Sequence, residues 1–373
     1  MASLGYPAYC VLVLATVLSF SPDSCFCAAH HQSKPEHKAA LFVFGDSLFD
    51  SGNNQYLNGS SGMGAGPTKL PYGETYFKHA TGRVSDGRIV PDFIAQFAKL
   101  PMPPPYLQPG AHNFTDGVNF ASAGAGVLPG TFPGAIDFPT QLSYFKAMEK
   151  SLSQRLGAKE TKKLLGRAVY LFSIGGNDYF SYASKNPKSL QIYKRQYVAM
   201  VIRNMTSVLK EIYNLGGRKI AFQNVGPLGC VPATKAMNPA LGSKCSEEPL
   251  TLARLHNRVL FSNFKKLEKS LPGFKFSIFD YYNALGDRIN NPSKYGFKDG
   301  KAACCGSGAY RGSNCGGGKN GTAYELCSNP NEYVWFDGAH TTESANHQLA
   351  QLIWNGPQNF TGPYTVKQLF ELA

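Results

Sequence analysis

Five short apolar runs, each followed by a loop and then a helical pattern, constrain the fold more than any other feature of this chain. They occupy residues 40–44 (ALFVF), 118–120 (VNF), 168–174 (AVYLFSI), 219–224 (KIAFQN) and 274–279 (FKFSIF). The runs are continuous rather than alternating, as in strands covered on both faces by helices. Between them, Val201, Met205, Val208, Ile212 and Leu215 recur at spacings of 4, 3, 4 and 3, which places them on one helix face. Gly216-Gly217 stops that helix before the next run. A second amphipathic helix carries Leu252, Leu255, Val259 and Leu260 and ends at Pro272-Gly273; a last one spans roughly 342–354. Strand alternating with helix predicts a parallel sheet between two helix layers. The sequence has no internal repeat and no dividing linker, so residues 30–373 are expected to form a single domain.

Two stretches break this rhythm. Residues 51–90 and 101–140 are rich in Gly, Pro, Asn and Ser. In an α/β fold such loops lie beyond the C-terminal ends of the strands, where ligands bind. Residues 304–327 are dense in Cys and Gly and are expected to take their order from disulfides.

The N-terminus reads as a targeting segment. Residues 8–20 (AYCVLVLATVLSF) are apolar, and small residues follow at Cys25, Cys27, Ala28 and Ala29. A bilayer span needs roughly 20 apolar residues, so a secretory signal peptide over 1–29 and a secreted, extracellular protein fit better. Three of the nine cysteines fall in that segment. The other six, Cys230, Cys245, Cys304, Cys305, Cys315 and Cys327, allow three disulfides, as an oxidising compartment favours. Cys230 with Cys245 is a local pair, and adjacent Cys304 and Cys305 are expected to take different partners. Metal binding is the rival reading, and no His stands at zinc-ligand spacing from these cysteines. N-x-[S/T] acceptors at Asn58, Asn113, Asn204, Asn320 and Asn359 point to the same route. The formal charge of +13 suits peripheral contact with acidic cell-wall polysaccharide or anionic lipid, or simply a solvated surface. Export, and the even scatter of Lys and Arg, argue against nucleic acid.

The first run leads straight into Gly45-Asp46-Ser47. A serine at the C-terminal end of a first strand presents its hydroxyl and its N–H at the mouth of the sheet. Alone, the tripeptide is equally a turn or a helix cap. It is not the G-x-S-x-G elbow, which occurs nowhere in the chain. The partners change the weighting, because a serine nucleophile needs a base, an orienting acid and oxyanion donors. Asp337-Gly338-Ala339-His340 follows a YVWF run at 333–336 and precedes the last helix. The i, i+3 spacing lets one loop set Asp337 against Nδ1 of His340 and leave Nε2 for Ser47. Of the other histidines, His30, His31 and His37 lie in the N-terminal segment, His79 and His112 in loops, and His256 and His347 within helices. Gly175-Gly176-Asn177-Asp178 follows the third run, where a side-chain amide can point into the site. Residues 119–126 (NFASAGAG) follow the second and offer backbone N–H groups.

At these residues the chain resembles the GDSL (SGNH) hydrolases, and most closely the plant GDSL esterase/lipase branch. Its blocks appear in order as FVFGDSLFDSGNN at 42–54, VNFASAGAG at 118–126, SIGGNDY at 173–179 and FDGAH at 336–340. TGRVSDGRIVPDFIA at 81–95 and NVGPLGCVP at 224–232 extend the resemblance, which covers about residues 40–354. It implies an α/β fold, a flavodoxin-like three-layer αβα sandwich with a five-stranded parallel sheet. It also implies roles: Ser47 as nucleophile, Asp337 and His340 as the catalytic dyad, and an oxyanion hole from the N–H groups of Ser47 and Gly124 and the Asn177 amide. Two residues depart from the branch. Ala123 stands where a second glycine is common, and is expected to narrow the oxyanion loop while leaving the Gly124 N–H available. Thr341 replaces a proline, and is expected to lose a residue suited to the first helical turn.

The activity so implied is hydrolysis of a small-molecule or lipid ester through an acyl-enzyme, with neither cofactor nor metal. Activity should need His340 neutral and fall below about pH 6.5. Two other readings stay open: an acyltransferase that uses an alcohol acceptor, and an extracellular defence or binding protein acting without catalysis. The loop at 128–138 (LPGTFPGAIDF) could line an acyl pocket or serve ordinary packing. The sequence assigns no oligomeric state.

Overall fold

A computed structural model describes residues 39–57, 67–110, 113–317 and 321–372. The expected signal segment, His30, His31, His37 and His112, and the acceptors Asn58 and Asn320 lie outside the described residues. All five apolar runs are strands: β1 (Leu41–Gly45), β2 (Gly117–Asn119), β3 (Val169–Ser173), β4 (Lys219–Gln223) and β5 (Lys275–Phe279). They run parallel in the order β5-β4-β3-β1-β2, with Leu41 opposite both Gly117 and Val169. Shorter strands follow. β6 (Asp299–Ala303) pairs parallel with β9 (Tyr333–Trp335), and β7 (Cys305–Gly306) pairs antiparallel with β8 (Glu325–Leu326). One further strand, β10 (Thr361–Pro363), joins the main sheet antiparallel to β5 at its edge. Three residues are too few to show a period, and the edge is where a proline is tolerated.

Ten α-helices are present among the described residues. In chain order they are α1 (Val90–Phe97), α2 (Phe138–Leu156), α3 (Ala158–Arg167), α4 (Gly176–Lys185) and α5 (Gln191–Asn214). Then come α6 (Pro232–Ala236), α7 (Glu247–Ser270), α8 (Tyr281–Asn290), α9 (Glu343–Asn355) and α10 (Val366–Glu371). Helices α2, α3, α4, α5 and α7 share one core with Phe42, Phe44, Tyr170, Phe172 and Phe222. Helices α1, α8, α9 and α10 share the other with Leu41, Val43, Val169, Leu171 and Ala221. The strands are therefore apolar on both faces but sorted by size. On the aromatic face Phe120, Phe44, Phe172 and Phe222 stack in a row across four strands or their ends, with centroids 4.9, 5.0 and 5.9 Å apart. Offset ring stacks of this kind add to the burial energy.

Disulfides join Cys230 to Cys245, Cys304 to Cys327 and Cys305 to Cys315, so adjacent Cys304 and Cys305 do take different partners. No helix among the described residues is long and apolar enough to cross a membrane. One expectation needs correcting. The last helix is capped by Thr342, whose hydroxyl accepts the Ala345 N–H, so Thr341 lies before the cap rather than in the first turn. There it bridges to Trp335, and its hydroxyl donates to Asn346 at 2.5 Å.

Gly45 ends β1 at φ +150°, and a Cβ there would come within 2.3 Å of the Ser173 carbonyl oxygen. The Gln141 side chain fills the role of a missing strand partner: it accepts the Gly45 N–H at 2.9 Å and donates to the Gly45 carbonyl at 2.8 Å. Gly45→Ala is expected to destabilise the protein by about 3 kcal/mol, combining strain with overlap. Denaturant unfolding checks this, and an unchanged midpoint would contradict it.

Candidate active site

The turn that Gly45 permits carries the chain out of the sheet. Asp46 N–H donates to Ser173 O at 3.0 Å, and the Asp46 carbonyl accepts Phe49 N–H at 3.1 Å and Asp50 N–H at 3.0 Å. This single tight turn leaves Ser47 nearly buried, 6% exposed, at the end of the strand. Among the described residues the Ser47 N–H has no internal acceptor.

His340 reaches Ser47 from a second tight loop, closed by Phe336 N–H donating to His340 O at 2.7 Å. Within it, Asp337 Oδ1 accepts the Ala339 and His340 N–H groups, both at 2.9 Å, and lies 2.7 Å from His340 Nδ1. His340 Nε2 lies 2.7 Å from Ser47 Oγ. Sequence reasoning named these three residues, and the fold brings them together across 293 positions. It missed Tyr72, whose buried hydroxyl donates to Asp337 Oδ2 at 2.9 Å. Only a preceding proline marked it, a weak signal. The 81–95 block braces the same loop. Ser85 Oγ donates to Thr341 O at 3.0 Å, Asp86 Oδ1 accepts Glu343 N–H at 2.8 Å, and Arg88 pairs with Glu343 at 2.6 Å.

The loops after β1 and β2 are joined by buried polar groups. Asp50 accepts Gly52 N–H at 2.6 Å and Asn53 N–H at 2.7 Å from its own loop, and Ala123 N–H at 2.8 Å from the other. Asn53 donates to the carbonyls of Asn119 and Ala121, and Asn54 to that of Ala123. Gly124 then turns at φ +86°, a conformation that favours glycine. Among the described residues its N–H, like that of Ser47, has no internal acceptor. Asn177 sits in the first turn of α4 and donates to Ala125 O at 2.9 Å, which fixes its amide one residue beyond Gly124. Asp178 clamps the next stretch, accepting Val127 N–H at 2.8 Å and Leu128 N–H at 3.0 Å. Asp50, Asn53, Asn54 and Asp178 all stand inside the quoted sequence blocks, and their polarity within apolar surroundings was the available clue.

Burial disfavours charge on His340, but the Asp337 carboxylate, with its hydrogen bond, and Asp46 outweigh it and hold the imidazole above its ordinary range. Burial likewise works against charge on Asp337. The facing His340, the Ala339 N–H and the Tyr72 hydroxyl prevail and keep it below the usual carboxylate range. Burial pushes Asp46 up to about 7 despite the Leu48 N–H that it accepts. His256 is different: burial drives it down to about 3, and its Nδ1 lies 2.6 Å from Tyr179 Oη, behind Gly175. It is a neutral core residue. His79 and His347 are exposed, and neither is hydrogen-bonded to Ser47 or lines the cavity onto which it opens.

Ser47, Asn177 and His340 open onto a cavity of about 570 Å³. Phe132, Ile174, Phe180, Leu228, Val231 and Leu285 make most of its wall apolar. Phe132 and Pro133 come from the loop at 128–138, so part of that loop does line the pocket.

The profile of the GDSL-like lipase/acylhydrolase family matches residues 41–353. The chain is 50% identical to GDSL esterase/lipase 1 of Arabidopsis thaliana, over 90% of this chain and 91% of that one. It is 44% identical to GDSL esterase/lipase 4 of the same plant over the whole of both chains. With a GDSL lipase of Tanacetum cinerariifolium it shares 46%, over 96% and 94%.

Two outcomes follow for activity. A base must be neutral to accept a proton, so kcat/KM should fall as pH drops through a value above His340's ordinary 6.5. Tyr72→Phe removes a hydrogen bond to a charged group, worth about 1.5–3 kcal/mol. It leaves Asp337 Oδ2 without that donor and more of the charge facing the imidazole, which raises His340 further. The expected result is a roughly ten-fold loss of kcat/KM, an acid limb moved to higher pH, and an unchanged circular dichroism spectrum. A wild-type pH–rate profile in the variant would contradict this.

Proposed function

This chain belongs to the GDSL-like lipase/acylhydrolase family, and on that premise we propose that it cleaves its substrates through a Ser47–His340–Asp337 triad and an acyl-enzyme. It is a carboxylic ester hydrolase. The triad reading is carried by one observation, the unbroken relay of two 2.7 Å contacts from Ser47 Oγ through the His340 ring to Asp337.

Ser47 Oγ attacks the ester carbonyl carbon, and its proton passes to His340 Nε2. Asp337 holds Nδ1–H and stabilises the imidazolium. The carbonyl oxygen, now negative, is met by the Ser47 and Gly124 N–H groups and by the second N–H of the Asn177 amide, the first being held by Ala125 O. The tetrahedral species collapses, the alcohol C–O bond breaks, and the leaving oxygen takes the proton from Nε2. Water then repeats the sequence on the acyl-Ser47 ester: it gives a proton to His340, the acid departs, and the proton returns to Ser47. An alcohol in place of that water would transfer the acyl group instead.

We further propose that the protein is exported and works outside the cell. Three disulfides support this, as do the exposed acceptors Asn113, Asn204 and Asn359.

The test is turnover of p-nitrophenyl esters from acetate to palmitate. Ser47→Ala should abolish it, and Asn177→Ala should lower kcat by about 100- to 1,000-fold with the fold intact. Wild-type turnover by either folded variant would overturn the assignment of that residue. Product analysis with an added alcohol reads out transfer, as a new ester.

A further inference from the structure

Two segments that supply wall of the cavity and run on from it carry no carboxylate. One runs from residue 179 to 195 and the other from 225 to 246; neither contains Asp or Glu. Both supply cavity wall, the first through Ser181, Ser184 and Lys185 and the second through Ala233, Thr234 and Met237. Their exposed cations are Lys185, Lys188, Arg195 and Lys244, and among the described residues no salt bridge engages any of the four. The same segments hold apolar side chains out into solvent: Met237 is 72% exposed, Leu190 64%, and Ile192 and Tyr193 55% each.

These side chains stand on an anchored backbone. Tyr182 Oη and Ser189 Oγ, 2.6 Å apart, tie the 186–189 turn back to α4. Lys194 pairs with Glu248 at 2.6 Å and fixes the start of α5 to the start of α7. The Cys230–Cys245 disulfide and the bond from Tyr310 Oη to Gly242 O, at 2.9 Å, hold the second segment.

We propose that these two segments dock on an anionic lipid surface and that the cavity takes its ester from that surface. Apolar side chains presented among unpaired cations are the chemistry that enters a lipid–water boundary and is drawn there by anionic headgroups. An acidic polysaccharide would match the cations but offers no apolar phase for Leu190, Ile192 and Tyr193. The inference deepens the ester-hydrolase reading by naming the source of substrate, while the docking itself needs no catalysis.

The test uses the full chain as Ser47→Ala, so that no lipid is consumed, in co-sedimentation with phosphatidylcholine vesicles with and without phosphatidylserine. Binding is expected with phosphatidylserine and should weaken without it or at high salt. Leu190→Ser with Ile192→Ser, and separately Lys188→Glu with Lys244→Glu, should each weaken it at least about ten-fold. Placed in the Ser47 chain, both pairs should leave kcat/KM for p-nitrophenyl acetate unchanged, which also reports an intact fold, and should slow cleavage of a vesicle-embedded ester. Absent vesicle binding, equal binding by the variants, or binding to polygalacturonate alone would overturn the proposal. Vesicle binding without any ester turnover by the Ser47 chain would instead sink the catalytic reading and leave the docking surface standing.

Discussion

The buried carboxylate of Asp50 is the constraint on which the site depends. It stands in the first loop, accepts two N–H groups from that loop, and takes its third from Ala123 in the loop after β2. Burial raises its pKa to about 6, and those N–H groups pull the other way. A buried charged or polar group left without partners is costly, so this lattice, with Asn53 and Asn54, locks the two loops side by side. The Ser47 and Gly124 N–H groups lie on these loops, and Asn177 is fastened to the second. A parallel sheet brings the strand ends together at one edge. The lattice turns that proximity into fixed positions.

A second brace acts on His340. The loop carrying Asp337 and His340 is held on one side by Ser85, Asp86 and Arg88 through Thr341 and Glu343. On the other it meets a small core in which Tyr72, Val84, Ala123, Phe336 and the disulfide cysteines Cys304, Cys305 and Cys315 pack together. Tyr72 stands edge-on to Phe336, centroids 5.2 Å apart, while its hydroxyl reaches Asp337. The methyl of Ala123 belongs to this core and is only 2% exposed. Ala123 therefore fills space in that core beside Gly124, which accounts for a side chain at this position. The cysteine-rich stretch is part of the support for the loop that carries Asp337 and His340.

Much of this was legible in the sequence, for physical reasons. Strands buried on both faces need apolar residues on both, so residues 40–44, 168–174, 219–224 and 274–279 stand out as mostly apolar runs without alternation. The short run at 118–120 is a strand as well. Ser47, Asn177 and His340 stand in the short loops or first helical turn that follow strand ends, where topology limits what a polar residue can be doing. Tyr72 carried only a weak signal because it stands in a loop without periodicity, where nothing marks its hydroxyl as the partner of Asp337. Gln141 reads as one polar residue in a helix, yet it closes the end of β1. β10 is too short to carry a pattern. Position 341 was misplaced by a residue or two, since the helix cap is set by the Thr342 hydroxyl and two adjacent threonines leave the choice open.

The most direct measurement is covalent labelling of the folded protein with a fluorophosphonate, followed by mass spectrometry of its peptides. One adduct per chain is expected, on Ser47, with no labelling of protein denatured beforehand and strongly slowed labelling of His340→Ala. An adduct on another residue of the active protein, or an active protein that takes no label, would contradict it.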